Sequence, residues 1–402
     1  MVAGRRLPAE RIDRTDPPSG RRLRQWTSAP AHSYPLYYFV PSHTADGRYL
    51  VLHSERDGWV QLYRLDLASG ELVQLTDGRT GRSGWAIWCE RHLRGVYNHL
   101  SALEPGRGEV FYFQDEELRG VEVDSLRTRV VLELPGRVPL GQAAFSPDGR
   151  HFAFVHADCR EFEARMDERE ALTHMGQFHW GRDHNAWRER VPTTIGVVDG
   201  QSGAWRLSLE LSYHVHHVLF LDDEHLLINH VRGDSGMWTV RLDGSDQQVL
   251  RPRDRHGVPC HQVLTRRGIC YEANDHTTGR RLVYMGRADG RTGCFREVHV
   301  PDMGYVHTGR DPEGWFCFGE DMTDRDHRLF SLHHPGDPER QEVRTLRAIP
   351  AIPFGQRFHA HPFLSPDRRW LFYTELVEGF SQVCALEVGD LVDRDEYWDA
   401  AG

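Results

Sequence analysis

The sequence predicts an all-β fold, a seven-bladed β-propeller forming a single domain over residues 1–402. Three observations lead there: a turn of the type Ser-Pro-Asp-Gly recurs along the chain, a period-2 apolar segment follows each copy, and the copies are spaced like units of three or four strands. No single unit of about 40 to 50 residues could bury both its faces, so the units must stack around a common axis into one domain.

In chain order, the clear turns are Thr44-Ala-Asp-Gly47, before Tyr49-Leu-Val-Leu-His53, and Ser146-Pro-Asp-Gly149, before Phe152-Ala-Phe-Val-His156. Weaker copies stand at Pro105–Gly108, Leu221–Glu224, Arg266–Gly268, Pro312–Gly314 and Ser365–Arg368. Alternating segments such as Trp59–Leu65, Met237–Leu242, Arg281–Met285 and Arg328–Leu332 have the periodicity of strands, not of helices. The segment Arg22–Ser28 is expected to lend an outer strand to the last blade and close the ring. Two stretches exceed a blade: one beginning at Gly78, and a partly helical insertion in the third blade at about 159–190. The insertion reads either as a solvated helical hairpin or as a loop over one mouth of the channel.

Composition narrows the function. Hydrophobic residues make up 39% and charged residues 27% of the chain, with no apolar run long enough to span a bilayer, so no membrane partner is expected. A net charge of −10 argues against nucleic acid. All 49 basic residues are arginine, which excludes a Schiff-base lysine, a Walker-A lysine and a lysine general base. Seven cysteines without a CxxC pair, and an N-terminus without an apolar signal core, lead to the expectation of a reduced, cytoplasmic location.

Histidine, with 25 copies, is the informative residue. Counting seven positions back from the glycine of each turn, or its equivalent, and eight in the fourth unit, gives Gln142, His216, His261, His307 and His361. That position leads into the innermost strand of a blade, so these side chains are expected to converge at one mouth of the channel. One histidine at a strand start is usually a satisfied structural residue. Four in register point to a metal, since neutral imidazole is the commonest ligand of first-row divalent ions. In Gln356-Arg-Phe-His359-Ala-His361, the two histidines need a local bend to aim together. His216, His217 and His230 are candidates to line the channel. Gly233-Asp-Ser-Gly236 falls in a blade turn and is not read as a nucleophile site, and the pairs Asp222-Asp223 and Glu320-Asp321 are read as solvated turn or strand-end carboxylates.

The run Gln356-x-x-His359-x-His361-Pro, the Ser-Pro-Asp turn after it, the strand Trp370–Thr374 and the pattern Glu378-Gly-x-x-Gln382 resemble the C-terminal blade of the oligogalacturonate lyases. The similarity extends through most of the chain, including Asp57-Gly, Leu75-Thr-Asp-Gly78, Met237-Trp and Asp243-Gly-Ser245. These are intracellular seven-bladed propeller lyases that hold manganese with one glutamine and three histidines and use a further histidine as base. The resemblance implies His307, Gln356, His359 and His361 as ligands of a divalent ion, Mn²⁺ foremost, with His261 as catalytic base. Two arginines of the family pattern are absent: Gly236 precedes Met-Trp here, and Ser33-Tyr-Pro-Leu-Tyr37 occupies the first blade's loop. Arg182, Arg232, Arg310 and Arg357, with His216, are the candidates to hold substrate.

The implied reaction is β-elimination across a 4-linked uronate in an acidic oligosaccharide, giving a 4,5-unsaturated product. The proton at C5 is only weakly acidic; a Lewis acid on the neighbouring carboxylate and an imidazole base near neutral pKa are what its removal requires. Neutral ligands leave the ion's full charge for the anionic substrate. By residue chemistry alone nickel, cobalt and zinc also suit such a site. A non-catalytic propeller with a structural metal and a metal-dependent uronide hydrolase or epimerase are the alternative readings.

Overall fold

The computed structural model describes residues 3–79, 92–179, 183, 186–229, 236–252, 259–265, 268–274, 281–287, 296–300, 305–310, 317–322, 327–333, 342–350 and 355–392. It is an all-β propeller of antiparallel sheets with few helices. The chain divides into two compact units.

The first unit comprises Met1–Asp57, Gln61–Leu75 and Arg255–Gly402. One of its sheets runs in the order Arg6–Leu7, Leu72–Gln74, Gln61–Asp66, Tyr49–Ser54, Ser33–Pro35. Two more are four-stranded meanders, Pro259–Thr265 through Arg296–Val300 and Tyr305–Arg310 through Glu342–Ala348. The last joins both ends of the chain: Arg22–Gln25 pairs with Phe380–Glu387, placing Leu23 opposite Leu386, and Ile12–Thr15 pairs outside it. The outer strand expected from Arg22 onward is therefore present, with a second beyond it. Leu23, Phe318, Leu329, Leu371 and Leu386 form one apolar layer of this unit, and Trp26, Leu50, Leu52, Tyr63 and Phe372 another. These layers are the period-2 faces of the strands turned inward.

The second unit, Gly58–Val60 with Thr76–Asp254, holds three four-stranded sheets that begin at Ala102–Leu103, Arg137–Phe145 and Val218–Phe220. Phe111 meets Phe145 and Phe152 with ring centroids 4.7 and 5.2 Å apart. A helix, Cys159–His174, leaves the strand His151–Asp158 directly. Asp158 caps it by accepting from Glu161 N at 2.9 Å, and Cys159, Phe162, Met166 and Arg169 are its buried residues. Among the described residues no helix is long and apolar enough to cross a membrane.

The recurring turn has a definite chemistry. In Ser146–Gly149 the serine hydroxyl donates to Asp148 at 2.6 Å and accepts from His151 N at 2.9 Å, while Asp148 accepts from Arg150 N at 2.9 Å. Thr44 and Asp46 repeat this before Tyr49, and Ser365 and Asp367 before Trp370. The fourth position is left-handed each time, at φ 69° for Gly47, 71° for Gly149 and 59° for Arg368, which explains the glycine of the motif and marks Arg368 as the exception. Of the other expected turns, Arg266–Arg267 and Pro312–Gly314 lie outside the described residues, as does the stretch 80–91.

Candidate metal and catalytic site

The site lies wholly within the first unit and is assembled from three places in the chain. His307 stands on the strand Tyr305–Arg310 directly opposite Glu320 on Cys317–Met322, so both side chains leave one face of the sheet. His307 Nδ1 is 2.8 Å from Glu320 Oε1, and the other carboxylate oxygen is 2.7 Å from His327 Nε2. The backbone amides of Ala360 and His361 donate to the same carboxylate at 2.8 and 3.2 Å. His307 and Glu320 are fully buried. The close backbone approach has its own requirement: a Cβ on Gly309 would stand 2.0 Å from the Pro362 carbonyl.

The bend that His359 and His361 need is supplied by the chain before and between them. Gly355, at φ 138°, opens the short 3₁₀ turn Gln356–Phe358, and His361 takes a left-handed φ of 44°. His307 and His361 have ring centroids 4.7 Å apart, His307 and His359 4.9 Å, and His359 and His361 5.4 Å. One donor atom from each of His307, Glu320, His359 and His361 falls within 4.8 Å of the others. Gln356 is buried beside them, and its Oε1 has no hydrogen-bond partner.

His261 joins from the strand Pro259–Thr265. The ladder to Gly268–Asn274 shifts register between Cys260 and Val263, and His261 sits in that bulge at φ 53°. Its ring centroid is 4.1 Å from that of His307, and its Nδ1 is 2.9 Å from Glu272 Oε1. Two of these four histidines, His261 and His361, thus adopt a strained backbone, a pattern concentrated at functional sites. Tyr38 packs on the His307 ring at 5.1 Å and Tyr37 on His361 at 4.7 Å.

Burial, with the neighbouring His261 charge, lowers His307 to about 3. Burial acts in the same direction on His261, but the Cys260 and Glu272 side chains override it and raise that imidazole to about 10. Glu320 is held well below the usual carboxylate range: burial opposes ionisation, and the hydrogen bonds from His307, His327 and His359 outweigh it.

Four of the residues singled out in the sequence, His261, His307, His359 and His361, therefore meet, and Gln356 is buried in the short turn that leads into His359. The remaining candidates behave differently. His216 belongs to the second unit, where its ring contacts the buried guanidinium of Arg188 and its carbonyl accepts from Gln142 N at 2.9 Å. Arg357 is engaged by both oxygens of Glu55 at 2.9 Å. Arg310 ends a site strand, while Arg182, Arg232 and His230 lie outside the described residues.

Two corrections concern carboxylates. Glu320 is not a solvated strand-end residue; it is the fully buried partner that joins His307, His327 and the His361 backbone. Asp321 is likewise buried and pairs with Arg328 at 3.0 Å. The signal was available, since Phe318 and Glu320 share one face of an alternating strand and Glu320 stands opposite a histidine of the preceding one. Asp222 does act as a turn carboxylate, accepting from Glu224 N and His225 N at 2.8 Å.

Solved structures share this architecture along nearly the whole chain. An oligogalacturonate lyase in complex with manganese superposes with a TM-score of 0.76 at 18% identity, covering 96% of this chain and 98% of that one. An oligogalacturonate lyase from Vibrio parahaemolyticus reaches 0.78 at 17% identity, covering 96% and 99%. The chain has the fold of the oligogalacturonate lyases. An acylaminoacyl peptidase from Pyrococcus horikoshii scores 0.51 at 10% identity over 83% of this chain and 48% of that one. No protein-family model and no curated protein matches the sequence.

Proposed function

We propose that this chain is a divalent-metal-dependent lyase that cleaves a 4-linked uronate oligosaccharide by β-elimination, with oligogalacturonate the favoured substrate class. The seven-bladed ring, single-domain organisation and cytoplasmic location expected from the sequence belong to the same reading. The observation that carries it is the convergence of His307, His359 and His361, with His261 4.1 Å from His307 ring to ring; the Oε1 of Gln356, buried in the turn before His359, has no hydrogen-bond partner. Full-length likeness of fold to oligogalacturonate lyases supports it.

The donor set fits a divalent ion. His307, Gln356, His359 and His361 would hold it, and manganese is the ion proposed, as in the manganese complex of similar fold. Glu320 belongs behind the ligands. Its contact with His307 Nδ1 fixes that nitrogen as the donor and leaves Nε2 as the ligand atom, the way a carboxylate commonly orients a metal-bound imidazole. When bound, the ion supplies Lewis acidity to the substrate carboxylate while charge builds up on it.

The chain's own residues do the rest. His261 takes the C5 proton in its neutral form, which is the minor one at neutral pH while Cys260 and Glu272 raise the imidazole to about 10 and which the positive charge of a bound ion beside His307 would favour; Glu272 beside Nδ1 leaves Nε2 to accept. The electrons of the broken C5–H bond form the C4–C5 double bond, and the C4–oxygen bond breaks with the leaving sugar. Tyr37 and Tyr38, packed on the histidines, keep water from the rings. Arg310, Arg182, Arg232 and His216 remain the proposed substrate contacts; Arg357, paired with Glu55, contributes through that ion pair.

Mass spectrometry of the products of a trisaccharide of 4-linked galacturonate tests the reaction class. Elimination conserves total mass over the two products and leaves one of them unsaturated. Products heavier by one water between them indicate a hydrolase, an isomer of unchanged mass an epimerase, and unaltered substrate with metal-loaded protein a binding module; each contradicts the proposal.

A further inference from the structure

A second group of side chains with metal-ligand chemistry gathers at His261. Cys260 and Glu272 are directly opposed across the ladder, and His261 follows Cys260 in sequence. In a regular strand, adjacent side chains point to opposite faces, so Cys260 and His261 could not serve one ion. The bulge with its left-handed His261 removes that restriction, and Cys260, His261 and Glu272 bring one donor atom each to within 4.8 Å of one another. Glu272 is buried, Cys260 is partly exposed and in no disulfide, and His261 Nδ1 is 2.9 Å from the Glu272 carboxylate.

We propose that Cys260, His261 and Glu272 form a second metal site, selective for zinc, whose occupation blocks His261. Zinc bonds of about 2.0 to 2.3 Å suit a donor group this compact, with a fourth, open position toward the exposed side of Cys260. Thiolate is a soft ligand that favours zinc over manganese, and the two anionic ligands neutralise the ion in a largely buried place. The histidine and glutamine donors of the first site carry neither feature. The consequence for catalysis follows from imidazole itself, which in its neutral form has one N–H and one accepting nitrogen. Zinc on Nδ1 takes the accepting pair and leaves Nε2 as N–H, so the ring can no longer accept a proton. Only this inhibitory consequence rests on the lyase reading; the site does not.

Cobalt(II) titration of the metal-stripped full chain tests the site apart from catalysis, because a cobalt–thiolate bond gives a near-ultraviolet charge-transfer band. The band is expected in the wild type and in His359→Ala, with zinc bleaching it, and it is expected to vanish in Cys260→Ser. Glu272→Gln should weaken cobalt binding at least about tenfold, the lower end of what even outer partners of a metal are worth. No band in the wild type, an unchanged band in Cys260→Ser, or unchanged affinity in Glu272→Gln overturns the proposal. In manganese-loaded enzyme, added zinc should stop elimination, and Cys260→Ser should need at least about ten times more zinc for the same inhibition. A protein with the cobalt band but no lyase activity refutes the function and leaves this site standing.

Discussion

His307 and Glu320 face each other across one rung of a β-ladder, fully buried, with Nδ1 2.8 Å from the carboxylate oxygen. The same carboxylate holds His327 and the amides of Ala360 and His361, so a single side chain fixes one proposed ligand and the backbone that presents another. Glu320→Gln keeps the shape but loses the charge. It is expected to lower manganese affinity about 10- to 100-fold, measured by isothermal titration, with the β-sheet circular dichroism unchanged.

His261 lies against His307 without belonging to the proposed ligand set. His261→Ala should reduce turnover by roughly 10² to 10⁴, the range of general-base assistance, while manganese content by elemental analysis stays at the wild-type level. Loss of manganese in that variant would instead make His261 a ligand of that ion.

How much of this arrangement could be read from the sequence differs by residue. His261, His307 and His361 were legible as a group because the turn repeat sets their register, and the structure brings their rings together. Gln356 and His359 carried no periodic signal, and family resemblance singled them out; their approach depends on Gly355 and the short turn after it. Glu320 escaped because a carboxylate next to Asp321 reads as solvated until its cross-strand partner is known. Which histidine would bulge out of its strand, as His261 does, depends on ladder register that no local pattern reveals.

Arg368 occupies the left-handed position that Gly47 and Gly149 fill in sister turns. A side chain there costs about 1 kcal/mol, of which the greater unfolded-state freedom of glycine takes back part. Arg368→Gly is therefore expected to stabilise the protein by roughly 0.5 kcal/mol in urea unfolding.

Burial of His43 and His53 lowers each to about 3, against 6.5 when exposed. Both are neutral in the folded state at pH 5 and almost fully protonated once unfolded, so unfolding takes up protons. The stability they permit is complete above pH 6.5 and is lost as pH falls from 6.5 towards 3, by up to about 1.4 kcal/mol per pH unit for each histidine. Urea midpoints measured between pH 7 and pH 4.5 should fall accordingly, and His43→Gln should flatten the slope by up to one proton.

The most direct test of the central claim is the ultraviolet absorbance of a short oligogalacturonate incubated with metal-stripped protein, before and after manganese is added. The account predicts no change without the ion, a steady rise from the conjugated 4,5-double bond once it is present, and a rise at least about a hundredfold slower with His261→Ala under the same conditions. A rise that persists in chelator, or its absence from wild-type protein shown to contain manganese, would contradict it.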